Sequence, residues 1–469
     1  MHEGNNEESA EEGEGRSPGE APDGPLPRRT LIAATVVLMA ATVAMATRSG
    51  AGQSRAAGPG ALPRPDVIIV AVDGLGTEDV GAQRTPFLEA FSGESVVYRD
   101  AYAPSPWASE ALRGLLTGQH RPVDRRPEGR APWIADELQR AGYRTALVPG
   151  HRRHALAGAD GAPVPTGYAN VLSPAGLDDP AGAEGSSVAA TALDWLEQSE
   201  RPALLVVTLA DPRAPHHHYH GGAGGPDPGY DGPVASGLAH DDLLRLGPSL
   251  DAADRAQLAA LHATEIAAAD AFIRQLVAGA RAHRGVAPVI AVAGLRRAAL
   301  GEGGRFGLVP SMEPEDLRVP LWLHVPASNG AALPLRGVVG APVSLLDVGP
   351  TLLSALGLVP QGGLDGASVY PGSSIPERPI RAVTSRGICA AVGLDGDRAV
   401  ILEAEPPAAL VRARSVGEGG GMEGGWAPSD GVTGADADLR LGLARWMKRV
   451  GIVVPGGGVP DLEAAPFGP

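Results

Sequence analysis

Along the middle of the chain, short unbroken apolar runs alternate with longer stretches in which apolar residues recur every three or four positions. An apolar run without polar interruption reads as a strand buried on both faces of a parallel sheet. DVIIVAV (66–72), TALV (145–148), PALLVVTLA (202–210), VAPVIAVA (286–293) and LRVPLWLHV (317–325) have this form, and SVVYRDAY (95–102) is a shorter strand. Helical periodicity marks TPFLEAF (85–91), APWIADELQRAGYR (131–144, stopping at Gly142) and SSVAATALDWLEQSE (186–200, with a serine cap). It also marks residues 251–283 and VSLLDVGPTLLSALG (343–357), which Gly357 closes. In the 251–283 helix Leu258, Leu261, Glu265, Ala268 and Phe272 share one side, and Glu265 and Asp270 read as solvated or helix-pairing charges.

Strand and helix alternate in this way from residue 66 to 372. That predicts an α/β domain with a mostly parallel central sheet flanked by helices on both faces. Beyond it the pattern changes. RPIRAVTSR, ICAAVGL, DRAVILEA and ALVRARS are short and closely spaced, as in a small antiparallel subdomain spanning 373–469. A Gly-rich loop (416–436) and a terminal helix (439–451) complete that part.

Composition narrows the picture. A hydrophobic fraction of 43% supports a sizeable core, and with only 4% aromatics that core must be Ala, Val and Leu. The net charge of −15 argues against a nucleic-acid partner. The single cysteine, Cys389, excludes an intrachain disulfide and a multi-cysteine zinc site.

The first 29 residues carry eight acids against three arginines and almost no large apolar side chains, the composition of a disordered acidic tail. Residues 30–47 (TLIAATVVLMAATVAMAT) contain no charge and as a helix would span about 27 Å, close to a bilayer core. Arg28 and Arg29 precede the run and favour an N-terminus inside. The expectation is a single-pass signal anchor with the remainder outside the cytoplasm. Cleavage near Ala44-Met45-Ala46 would instead give a secreted protein. Residues 48–65 form a Gly/Ala/Ser/Pro linker.

The apolar run VIAVAGLRR (289–297) ends in a leucine and two arginines where a strand meets a loop. In open α/β sheets chemistry sits at such strand ends. Its surroundings give the position meaning. PDVIIVAVDGLGTEDVG, TPFLEAFSGESVVYRDAYAPSPWASEALRGLLTG, ELQRAGYRTALV, LADPRAPHHHY, GEGGRFG, LRVPLWLHVP and APVSLLDVGPTLLSALGLVPQGGLDGASVYP occur in that order. Together they resemble the sulfatase family of the alkaline-phosphatase-like superfamily, over about residues 64–372.

The resemblance implies a fold and a chemistry. Members hold an anionic ester with Ca²⁺ or Zn²⁺ against a nucleophile, either a cysteine matured to formylglycine or a serine or threonine. Carried over residue by residue, Asp73 matches the first metal carboxylate, and Gly74 follows it. The nucleophile position is Ala108, and Glu110-Ala111-Leu112 stand where Pro-Ser-Arg is usual. The late Asp-His ligand pair falls on Leu295 and Arg296. The histidine that touches sulfate is Arg213, and two later histidines are Gly303 and Leu308. Leucine offers no ligand, and arginine offers only donors and a fixed charge.

The expected function is therefore a membrane-anchored, sulfatase-like pseudoenzyme that lacks metal ligands and nucleophile and binds an anion or a partner. No catalytic residue, metal or other cofactor is expected. The anion-binding candidates are Arg113, Arg213, Arg296 and Arg297, and Arg296 or Arg297 is expected to pair with Asp73. The expected partners are the membrane, through the N-terminal helix, and a sulfated or phosphorylated ligand or a protein. The alternative is an active sulfuric- or phosphoric-ester hydrolase with an atypical site, in which Ser109 would act with Asp73, an arginine clamp and Ca²⁺ or Zn²⁺. A structural partner of an active paralogue is a third reading. Otherwise Ser109 reads as a helix-start serine, His216, His217, His218 and His220 as a loop over the pocket mouth, and His120 as a loop or surface residue.

Overall fold

A computed structural model describes residues 64–415 with interruptions, the longest at 121–133, 156–167, 217–225 and 328–334. The acidic tail, the 30–47 segment, nearly all of the linker, His217, His218 and His220, and the loop and helix expected after residue 415 lie outside the described residues. Among the described residues no helix is long and apolar enough to cross a membrane.

The strands of the main sheet are β1 (Val67–Gly74), β2 (Val96–Tyr102), β3 (Arg144–Val148), β4 (Asn170–Val171), β5 (Ala203–Leu209), β6 (Val289–Arg297), β7 (Arg318–His324), β8 (Gly337–Val339) and β9 (Val343–Ser344). Their order is β8-β2-β7-β6-β1-β5-β3-β4, with β9 also paired to β2. Only β7 runs antiparallel to its neighbours, β6 and β2. The remaining pairings, β1 with β5 and β6 at the centre among them, are parallel. The C-terminal ends of β1, β3, β5 and β6 therefore meet along one edge.

The pleat sorts β1 into two faces. Val67, Ile69 and Ala71 join one apolar cluster with helices α2 (Ala108–Thr117), α3 (Ile134–Arg140) and α7 (Val348–Ala355). Ile68, Val70 and Val72 join the other with α1 (Pro86–Ser92), α4 (Gly185–Glu197) and α6 (Ala252–Ala282). Strands buried on both faces need the continuous apolar runs seen in the sequence. A third cluster, with Leu243 of α5 (His240–Leu246), Leu250, Leu258, Leu261 and Phe306, covers the loop after β5 by packing on Ala214. Four further strands, β10 (Ile380–Thr384), β11 (Cys389–Asp395), β12 (Arg398–Glu405) and β13 (Ala408–Ser415), form an antiparallel sheet in chain order. The backbone of β10 reaches the main domain where Val383 N–H donates to the Pro104 carbonyl (2.9 Å).

Several local expectations are corrected. The α4 helix starts at Gly185 with Glu184 at its N-cap, not a serine, and its first N–H donates to Asp211 Oδ1 (2.8 Å). The segment before α7 pairs with β2 through Val343 and Ser344 and makes one 3₁₀ turn before the α-helix begins. Glu265 and Asp270 are buried rather than solvated. Asp270 accepts the Phe87 and Leu88 N–H groups (2.9 Å each) at the start of α1, where a carboxylate satisfies otherwise unpaired donors. His120 lies in a loop but is buried, and its backbone N–H donates to Asp365 (3.0 Å).

Candidate functional site

Three consecutive features at the sheet's C-terminal edge build the site. The first is a register shift. Val72 of β1 pairs with Gly294 of β6, but Asp73 pairs with Arg296, so Leu295 is the extra residue of a β-bulge. Without the bulge Asp73 would face Leu295. The bulge depends on Gly294, where a Cβ would run into the Leu75 carbonyl oxygen.

The second feature is the carboxylate itself. Asp73 is 2% exposed. Arg296 donates from Nε to Asp73 Oδ1 (2.8 Å), approaches Oδ2 with Nη2 (3.4 Å), and donates from Nη1 to the Leu308 carbonyl (3.2 Å). His154, buried in the loop after β3, meets Asp73 Oδ2 through Nε2 (3.2 Å) and Thr208 Oγ1 through Nδ1 (3.0 Å). A carboxylate only accepts, so Nε2 carries a proton. Thr208, at the end of β5, also accepts the Gly150 N–H (2.8 Å) and ties β3 to β5 at this edge. Burial alone would raise the Asp73 carboxyl, but the charge of Arg296 and the hydrogen bonds from His154 and Arg296 outweigh it. The group is held well below the usual carboxylate range.

The third feature is a surplus of positive charge. Arg213 lies in the loop after β5 and is 8% exposed, and its Nε and Nη1 are buried without a hydrogen-bond partner among the described residues. Burial lowers its pKa, Asp73 partly offsets this, and the charges of Arg296, Arg153 and Arg152 lower it further. His151 is pushed down to about 3, first by burial and then by Arg213, His154 and Arg153, so its ring is neutral near pH 7. Its Nδ1 accepts the Arg153 N–H (3.1 Å), which leaves the ring proton on Nε2. Burial, Arg296 and Arg213 also lower His240. The Arg213 loop is held from below, since His262 Nδ1 contacts the Pro212 carbonyl (3.1 Å). At its side Gly74 (φ +97°) leaves no Cβ to press on the Pro212 backbone.

The expected site residues separate. Arg296 pairs with Asp73, and the charges of Arg213 and Arg296 act on the same groups. Arg297 is directed away from the pair. It forms ion pairs with Glu78 (2.7 Å) and Glu302 (2.7 Å) at the rim, as the two-residue period of a strand requires. Arg113 sits half-buried on α2. Ala108 and Leu295 are both buried, and both belong to the same apolar cluster as Ala293 and Ala111. Ser109 lies in the first turn of α2, where the N-cap is Trp107, so it is not the capping residue. Beside it Glu110 accepts the Ser105 hydroxyl (2.8 Å).

His151, His154, Thr208, Arg152 and Arg153 were not singled out from the sequence. The clue available was HRRH (151–154) soon after the TALV strand, at a C-terminal strand end. The donor set does not fit a divalent metal. Both oxygens of Asp73 are engaged by cationic or N–H donors, and Leu295 and Arg296 stand at the remaining ligand positions. Among the described residues no group of three or more His, Cys, Asp or Glu side chains is arranged to hold a metal ion.

The Sulfatase family model matches residues 65–358. A putative sulfatase from Bacteroides thetaiotaomicron superposes with a TM-score of 0.62 at 14% identity, covering 83% of this chain and 93% of that one. The phosphonate monoester hydrolase of Silicibacter pomeroyi gives 0.61 at 17% identity, with 82% and 96% covered. That of Agrobacterium radiobacter gives 0.59 at 17% identity, with 83% and 96% covered. No curated protein matches the sequence.

Proposed function

The chain belongs to the sulfatase family, and from that premise we propose that it is a membrane-anchored member that binds an anionic ester at the inherited site without hydrolysing it. One observation carries this reading: the buried guanidinium of Arg213, with two donor nitrogens unpartnered among the described residues and further cations around it. An uncompensated buried charge costs several kcal/mol. An oxyanion accepting from Nε and Nη1 would remove that cost through charge-assisted hydrogen bonds.

The chemistry around Arg213 narrows the ligand. Arg213 and the Nε2–H of His151 are donors, and both Asp73 oxygens are already engaged. A proton on the ligand would find no acceptor among these groups. A sulfate ester or a phosphodiester, which carries none near pH 7, fits them better than hydrogen phosphate. Neighbours of this fold include a 2-O glycosaminoglycan sulfatase and phosphonate monoester hydrolases, so esters of both kinds are the natural probes.

Turnover is not expected. A methyl group at Ala108 cannot attack an ester, and Ser109 has no base beside it in the described contacts. The acidic N-terminal tail would lie inside and the domain outside the cytoplasm, held by residues 30–47. The test is a titration of the full-length protein with p-nitrophenyl sulfate and bis-p-nitrophenyl phosphate, following binding and nitrophenol release in the same samples. The reading expects saturable binding that Arg213→Met weakens at least about tenfold, equivalent to ~1.4 kcal/mol, with no release. Release abolished by Asp73→Ala would establish the hydrolase alternative and overturn it.

A further inference from the structure

The family's divalent cation and this chain's donor set disagree at one point, and the disagreement has a definite geometry. The carboxylate that would hold the ion is kept. The next residue of β6 able to face it is a guanidinium, brought into register by the bulge at Leu295. That guanidinium uses all three nitrogens: two toward Asp73 and one toward the Leu308 carbonyl. Leu308 itself stands at one of the family's histidine positions, so the backbone there now accepts from the cation. The remaining Asp73 oxygen is filled by the Nε2–H of His154, oriented through Thr208. An incoming dication would have to displace a backbone-tethered, buried cation while exposed to the charge of Arg213.

We propose that Arg296 is the site's resident cation, a covalently attached replacement for the metal, so that the fold and the anion site form without any divalent ion. A guanidinium suits the task because its planar fork matches a carboxylate through two parallel donors and stays charged at any physiological pH. Its role is positioning, since it orders Asp73 and the β1 and β6 ends that flank Arg213. The inference does not depend on what Arg213 binds.

The test uses the full-length protein, stripped with EDTA and then supplied with Ca²⁺, Mg²⁺, Mn²⁺ or Zn²⁺. Bound metal is measured by elemental analysis and Tm by thermal unfolding. The wild type should retain substoichiometric metal and show the same Tm with chelator or cation. Arg296→Ala should lose roughly 5 °C or more, because Asp73 is left buried without its cation and with only the His154 hydrogen bond. Millimolar methylguanidinium, but not divalent cations, should restore part of that loss. Should Arg296→Ala fail to fold, Asp73→Asn/Arg296→Met, which removes both charges together, should fold and approach wild-type Tm. A stoichiometric divalent ion whose removal lowers the wild-type Tm would overturn the proposal. So would an Arg296→Ala variant as stable as the wild type, or a double variant no better than Arg296→Ala.

Discussion

Strand β1 carries a buried carboxylate at each end, and the two are built from the same parts. Before its first residue, Asp66 accepts from His283 Nδ1 (2.9 Å), Arg284 Nη1 (3.0 Å) and the Ala203 N–H (2.8 Å). Near its C-terminal end, Asp73 meets Arg296 (2.8 Å) and His154 (3.2 Å). A carboxylate with an arginine and a histidine is therefore not by itself a sign of function, because at Asp66 it pins together the starts of β1 and β5 and the end of α6. What distinguishes the Asp73 end is excess. Arg213, Arg152 and Arg153 act on the same groups, and part of Arg213 has no partner among the described residues. Ligands of open α/β sheets bind at that edge.

The largest effect should separate the two ends. Arg296→Ala is expected to cost about 3–5 kcal/mol, as for a buried pair broken on one side. Arg284 holds a strained φ of +53° that glycine adopts freely. Arg284→Gly should therefore cost about 1 kcal/mol or less, the lost ion pair being partly offset by relief of strain. Denaturant midpoints of the two variants check this, and equal losses would remove the distinction.

Gly294→Ala comes next. The added methyl meets the Leu75 carbonyl, and a loss of about 1–3 kcal/mol is expected from overpacking, together with weaker anion binding as Arg296 leaves register. Arg213→Met should do the reverse for stability. It removes an uncompensated buried charge and should raise stability by up to about 1 kcal/mol while binding is lost, as chemical denaturation of the ligand-free protein can measure.

The effect that is smallest at neutral pH is on acid sensitivity. His151, lowered to about 3, and His120, lowered to about 4 by burial, are neutral in the folded chain. The unfolded chain binds their protons from about pH 6.5 downward, so the fold loses stability as the pH falls below that value, by up to about 1.4 kcal/mol per pH unit per group. His151→Gln should flatten the slope between about pH 6.5 and 3. Asp73, whose folded pKa is depressed, adds stability that is present above its unfolded value of about 3.9 and is lost only below it.

The fold was legible because strands covered on both faces have to be apolar throughout, as β1, β5 and β6 are. The Asp73–Arg296 pair was legible because both residues lie at parallel strand ends. Arg297 was not separated from Arg296, since the apolar run suggested a strand ending at 293, whereas β6 continues to 297 and alternates the two arginines. His151, His154 and Thr208 were missed because their meeting depends on β3 lying beside β5, a neighbour relation that sequence order does not contain. Glu265 and Asp270 were misread because α6 packs between other elements, and tertiary burial overrode their polarity.

The most direct measurement is a crystal of the full-length protein soaked in selenate, with anomalous maps locating selenium and any metal. The account predicts selenate at Arg213 with oxygens within hydrogen-bonding distance of Nε and Nη1, no selenium beside Asp66, and Arg296 still paired with Asp73. A metal ion on Asp73 with Arg296 turned away, or no selenium at Arg213, would contradict it.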